Sequence, residues 1–192
     1  KKKALLGLLF HYNILILLGQ EGPELISQTI PLHDAGSDIT IDLLKDLEIE
    51  IYLDLNIISQ IATITMIGPE YQWMGVSFGQ RKMRNAFAYI YSEDNNGEMT
   101  LNNYRLGNYN KGQLIGQPKS HSISISNGYA TIIFQRNFQS DIPFEYDFNN
   151  NLDNLQYIIA TGMDGSSKLR YHGSNGKVSN WIRLLTFDPP TF

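Results

Sequence analysis

The sequence predicts an all-β fold, an antiparallel β-sandwich. Three observations lead there: period-two alternation of apolar and polar residues, turn signals between short apolar runs, and no helical pattern of useful length between them. From Leu47 the residues Leu47, Ile49, Ile51, Leu53 and Leu55 share one parity while Glu48, Glu50, Tyr52 and Asp54 take the other. That is one buried and one wet face; a helix would scatter the same residues around its axis. Further strands are expected at Ile61–Ile67, Tyr71–Phe78, Ala86–Tyr91 and Met99–Leu106. Ser120–Phe138 holds two strands joined at Asn127-Gly128, a pair that supplies the positive φ angles of a tight hairpin turn. Leu155–Ala160 and Trp181–Phe187 complete a set of about eight to ten strands. Gly and Asn mark 107–116 and 147–154 as loops. With no helices between strands, a parallel α/β sheet is not expected.

The domain expected from this pattern covers residues 25–187, with 188–192 as a tail. Residues 1–20 read separately. Lys1, Lys2 and Lys3 precede an apolar run, Ala4 to Leu18, that ends at Gly19-Gln20. This is the layout of a secretory signal peptide, and the run is short for a membrane span. The alternative is a retained hydrophobic anchor, the only expected membrane contact. A secreted or lumenal protein is expected from the first reading, a membrane-associated or mitochondrial one from the second.

Composition narrows the function. Of 192 residues 42% are hydrophobic and 18% charged, enough apolar material for a core. The net charge of -4, with 15 Lys and Arg, offers no broad cationic face for nucleic acid. The chain has no cysteine, so disulfides, thiolate chemistry, cysteine-held zinc or iron–sulfur and covalently attached c-type haem are all excluded. His33, His121 and His172 form no local metal motif. There is no Gly-x-Ser-x-Gly elbow, and Gly162-Met163-Asp164-Gly165 lacks the Lys-Ser/Thr of a phosphate loop. No catalytic constellation emerges, and the expectation is a binding or electron-transfer domain, not an enzyme.

Five segments in order carry a resemblance. They are Trp73-Met74-Gly75-Val76-Ser77-Phe78-Gly79; Met83 ahead of the strand Ala86–Tyr91; Tyr129–Phe138 with Arg136; Tyr157-Ile158-Ile159-Ala160-Thr161-Gly162; and Leu169-Arg170-Tyr171-His172-Gly173. Together, over residues 40–187, they resemble the DOMON domain, the immunoglobulin-like sandwich of dopamine β-monooxygenase and of the b-type cytochrome domain of cellobiose dehydrogenase. The N-terminal part matches only as generic strands, and the chain is richer in Asn and Gln than the family.

The resemblance implies a haem b held at one end of the sandwich by a Met and a His, which by position are Met83 and His172. Thioether and imidazole are the two ligands of a non-covalent low-spin haem. Tyr171, Trp73, Met74 and Phe87 are the implied pocket walls, and Arg81, Lys82 and Arg84 the candidates for pairing with propionates. The implied role is a single-electron carrier serving a separate redox partner, a flavoenzyme or a membrane cytochrome. The alternative is a haem-free module that binds a small ligand or sugar, or acts as an accessory subunit of a larger assembly.

Overall fold

Alternation along the chain becomes two facing sheets in the computed structural model, which describes residues 27–31, 48–56, 58–108, 112–149, 155–162, 165–172 and 176–182. The expected leader, residues 1–20, and the tail, 188–192, lie outside these. The strands are β1 (Ser27–Pro31), β2 (Glu50–Asn56), β3 (Ile61–Pro69), β4 (Met74–Phe78), β5 (Phe87–Glu93) and β6 (Met99–Arg105). β7 (Gln113–Gly116), β8 (Ser120–Ser126), β9 (Tyr129–Asn137), β10 (Leu155–Thr161) and β11 (Lys177–Ile182) follow. Among the described residues there is no helix.

A five-stranded sheet runs in the order β1-β2-β3-β9-β8, and a six-stranded one β11-β10-β4-β5-β6-β7. Every pairing between named strands is antiparallel. The β8–β9 hairpin turns on Asn127 (φ 53°) and Gly128 (φ 80°), the two left-handed residues its sequence foretold.

Between the sheets lies one core. Ile51, Leu53 and Leu55 of β2 meet Val76, Phe78, Tyr89 and Tyr157 of the opposite sheet. The partner parity of β2, Glu50, Tyr52 and Asp54, carries the polar groups outward.

Two strands were not foreseen. β1 had no distinct signal, and β7 falls inside the segment expected to be a loop. β11 begins at Lys177, earlier than the expected Trp181–Phe187, most of which lies outside the described residues.

One end of the sandwich is closed by a buried charge cluster. Arg136 and Glu145 form an ion pair at 3.7 Å with side chains only 10% and 7% exposed. The Arg136 guanidinium also donates to the carbonyls of Asn137 and Tyr146 and stands 4.4 Å above the Phe148 ring. Tyr89 and Ser140 hydroxyls donate to Glu145. Each charge thus has its compensation inside the fold.

Candidate functional site

An antiparallel sheet with one face on the core usually shows water its other face. Over β10, β4 and β5 the six-stranded sheet does not. Opposite the core residues Met74, Val76 and Phe78, the intervening positions of β4 are Gly75 and Ser77, and both are buried. On β5 the outward residues are Ala88 and Ile90, and on β10 they are Ile158 and Ala160. Cross-strand register sets Gly75 beside Ile90 on one side and Ala160 on the other, with Ser77 beside Ile158. The result is a floor of small and apolar side chains. A Cβ at Gly75 would come within 3.1 Å of Ile90 Cγ1 and 3.2 Å of the Tyr89 carbonyl, so the floor is lowest where glycine stands.

Two connections roof this floor, and they come from opposite ends of the sheet. One leaves β4 at Gly79, whose φ of 86° and contact with Tyr146 leave no room for a Cβ, and carries Arg81-Lys82-Met83-Arg84. The Ala86 amide donates to the Met83 carbonyl and the Asn85 amide to that of Leu106, which turns Met83 towards the sheet. The other leaves β10 at Thr161, which pairs with Met74 at the far end of β4. It is stitched down by Trp73 and Glu93 amides donating to the Ser166 and Ser167 carbonyls, and by the Lys168–Glu93 ion pair at 3.5 Å. It then delivers Leu169, Arg170, Tyr171 and His172 over the floor.

The two connections meet at their functional side chains. His172 Nε2 lies 3.3 Å from Met83 Sδ although 89 residues separate them. His172 is 8% exposed and Met83 half-buried. The Tyr171 ring lies 4.7 Å from the His172 ring at 37°, and is itself 73% exposed. Beneath them is a cavity of about 670 Å³, within the range of small-molecule and cofactor sites.

Its charge is one-sided. Arg81, Lys82, Arg84, Arg170 and Lys177 all line it, and among the described residues no Asp or Glu does. In a protein of net charge -4 this is a local reversal, suited to an anionic ligand. Ser77 Oγ and Trp73 Nε1, on two further lining residues, are buried without a protein partner, and such groups ordinarily find one.

Of the residues singled out from sequence, Met83, His172, Tyr171 and Trp73 line the cavity. Met74 and Phe87 do not. They are 0% and 2% exposed and point into the core between the sheets, because strand alternation sends them to the face opposite Gly75 and Ala88. The cavity also lies across the outer face of the sheet and not at one end of the sandwich, since its two roofing connections start from both ends. Gly75, Ser77, Ala88 and Ile158, together with Arg170 and Lys177, were missed. For Gly75 and Ser77 the signal was a strand without a wet parity: Met74–Phe78 carries no charged residue on either face.

The donor set, a thioether and an imidazole brought together over an apolar floor, is chemically suited to a low-spin haem iron. The two donor atoms touch in this structure, so anything seated between them has to part the two connections. Both donors stand on connections rather than on strand ladders. Among the described residues no cluster of three or more His, Cys, Asp or Glu could hold a metal instead.

No protein-family model matches the sequence, and no curated protein does. Among solved structures, the cytochrome b domain of pyranose dehydrogenase from Coprinopsis cinerea is similar at TM-score 0.51 and 15% identity, over 71% of this chain and 78% of that one. The cytochrome domain of Myriococcum thermophilum cellobiose dehydrogenase follows at TM-score 0.47 and 13% identity, over 71% and 75%. The sandwich therefore shares its fold with the cytochrome b domain of pyranose dehydrogenase.

Proposed function

We propose that the chain binds haem b between Met83 and His172 and serves as a single-electron carrier. The observation that carries this reading is the meeting of Met83 Sδ and His172 Nε2 at 3.3 Å above a cavity with an apolar floor and a cationic rim. Haem b would supply a one-electron iron couple, its potential raised by methionine ligation. Met83 and His172 would hold the iron, and the role proposed for the site is electron transfer rather than chemistry on a bound substrate. Arg81, Lys82 and Arg84 would neutralise the propionates. Gly75, Ala88 and Ala160, as small residues on the floor, would leave room for the group.

Tyr171, exposed and stacked on His172, is the aromatic surface nearest a ligand and the place where a partner would approach. That partner would be a separate protein, a flavoenzyme or a membrane cytochrome; a neighbour in fold is one domain of a dehydrogenase. A secreted or lumenal location belongs to the same proposal, and mass spectrometry of the native N-terminus tests it.

The deciding experiment is an absorption spectrum of the purified protein, oxidised and then reduced with dithionite. A sharp Soret band with split visible bands on reduction is expected. A featureless spectrum from native-source protein and after haemin addition would refute the reading. It would favour the second one, a haem-free binding or accessory module, in which the 3.3 Å contact is the working state of the site.

A further inference from the structure

Strand β8 forms the edge of the five-stranded sheet, and among the described residues it carries none of the devices that usually guard an edge. Natural edges carry charges, prolines, bulges or short strands. β1 ends on Pro31, β7 has four residues and a bulge opposite it at Asn103/Tyr104, and β11 starts on Lys177. β8 is seven residues, Ser-His-Ser-Ile-Ser-Ile-Ser, with no charge, Pro or Gly, and its pairing with β9 is free of bulges. Ile123 alone in it is half-buried; the rest is exposed.

Its sequence is nearly a palindrome about Ile123. Two copies paired antiparallel around that residue set Ser120 opposite Ser126 and Ser122 opposite Ser124 on one face. On the other face Ile123 meets Ile123, and His121 meets Ile125. The flanking pair is Lys119 opposite Asn127, so no like charges are opposed. The His121, Ile123 and Ile125 face is the core side, since their partners on β9 are the buried Phe134, Ile132 and Ala130. Self-pairing would therefore cover Ile125, now 47% exposed, with apolar surface continuous with the core.

The neighbouring edge adds to the patch. Only Gln117, Pro118 and Lys119 separate β7 from β8, so the two edges share one side of the sandwich. β7 displays Leu114 and Ile115 there, 55% and 42% exposed.

We infer that β8 is a homodimerisation edge, joining two copies of this chain through a two-fold axis at Ile123 into one ten-stranded sheet. The partner is a second copy because the strand is complementary to itself in register and polarity, the requirement of an isologous interface. About six to eight main-chain hydrogen bonds would form across it. The edge belongs to the sheet away from the haem cavity, and the inference does not rest on the haem reading.

Sedimentation velocity of the full chain, up to about 100 µM so that an interface of micromolar affinity is filled, is the test. A species of twice the 21.8 kDa chain mass is expected. The double variant Ser122→Lys/Ser124→Lys places like charges opposite each other and should weaken the dimer roughly tenfold or more; Ser122→Glu/Ser124→Glu should do the same. An equimolar mixture of the two variants should restore the dimer, because each lysine then faces a glutamate. A monomeric wild type, a lysine variant that dimerises undiminished, or a mixture that stays monomeric would each overturn the inference.

Discussion

Replacing Met83 by Ala separates packing from ligation, because the two roles predict different numbers. Met83 is half-buried against the cluster of Trp73, Ala88, Ile90 and Leu106. A buried Met truncated to Ala costs 2–5 kcal/mol, so a half-buried one should cost about 1–2 kcal/mol in the protein without haem. At 2–4 °C per kcal/mol for a chain of this size, the melting temperature falls by about 2–8 °C. Haem at a hundredfold over its dissociation constant should stabilise the wild type by about 2.7 kcal/mol, a rise of about 5–11 °C. If loss of the thioether weakens haem binding tenfold, about 1.4 kcal/mol of that rise disappears. The variant should then gain only about 3–5 °C on the same scale. Near-ultraviolet circular dichroism melts with and without haemin, read beside the reduced absorption spectrum, measure both effects. A Met83→Ala protein that gains as much from haem as the wild type, with an unchanged six-coordinate spectrum, would refute the ligand assignment while leaving the packing role intact.

Two other perturbations probe the sandwich itself. Arg136→Met leaves the buried Glu145 carboxylate with only hydroxyl partners and should cost about 3–5 kcal/mol, or about 6–20 °C in melting temperature; a drop under about 3 °C would show that the pair is not compensating a buried charge. At alkaline pH, burial pushes the Tyr91 phenol up to about 12 and raises those of Tyr89 and Tyr157 as well. A folded-state value above the unfolded one near 10 gives stability that is whole below about pH 10 and lost as pH rises towards 12. Urea midpoints should fall across that window, less steeply in Tyr91→Phe, and a flat profile to pH 12 would contradict the burial of these hydroxyls.

The strands that were legible in the sequence are of two kinds, those with one wet face and the apolar runs that became β4, β5 and β10. β2 alternates cleanly, and the β8–β9 hairpin is punctuated by Asn127-Gly128. β7 escaped because Gly112 and Gly116 enclose only three residues, too few for a period to show. β11 escaped in part because Lys177 and Ser179 fall on its outward parity and break the apolar run, so Trp181 drew the expected start too late. The site was legible only through its resemblance. Nothing in the spacing of Met83 and His172 says that connections from opposite ends of a sheet will bring them together. Glycine and alanine on the floor give no hydrophobic signal, although their smallness makes the cavity. Met74 and Phe87 were assignable from sequence in hindsight: each shares a parity with core residues, Val76 and Tyr89, and that parity excludes the other face.

The double duty of β4, β5 and β10 also sets what lengths of chain this protein tolerates. In β2 or β3 a one-residue slip exchanges core side chains for surface ones. In the three central strands the same slip would turn Val76, Tyr89 and Tyr157 into the cavity and Gly75, Ala88 and Ile158 into the core, emptying one and filling the other. Insertions and deletions should therefore be barred from these strands twice over, and admitted in the connections that roof the cavity only where they keep Met83 and His172 within reach of each other.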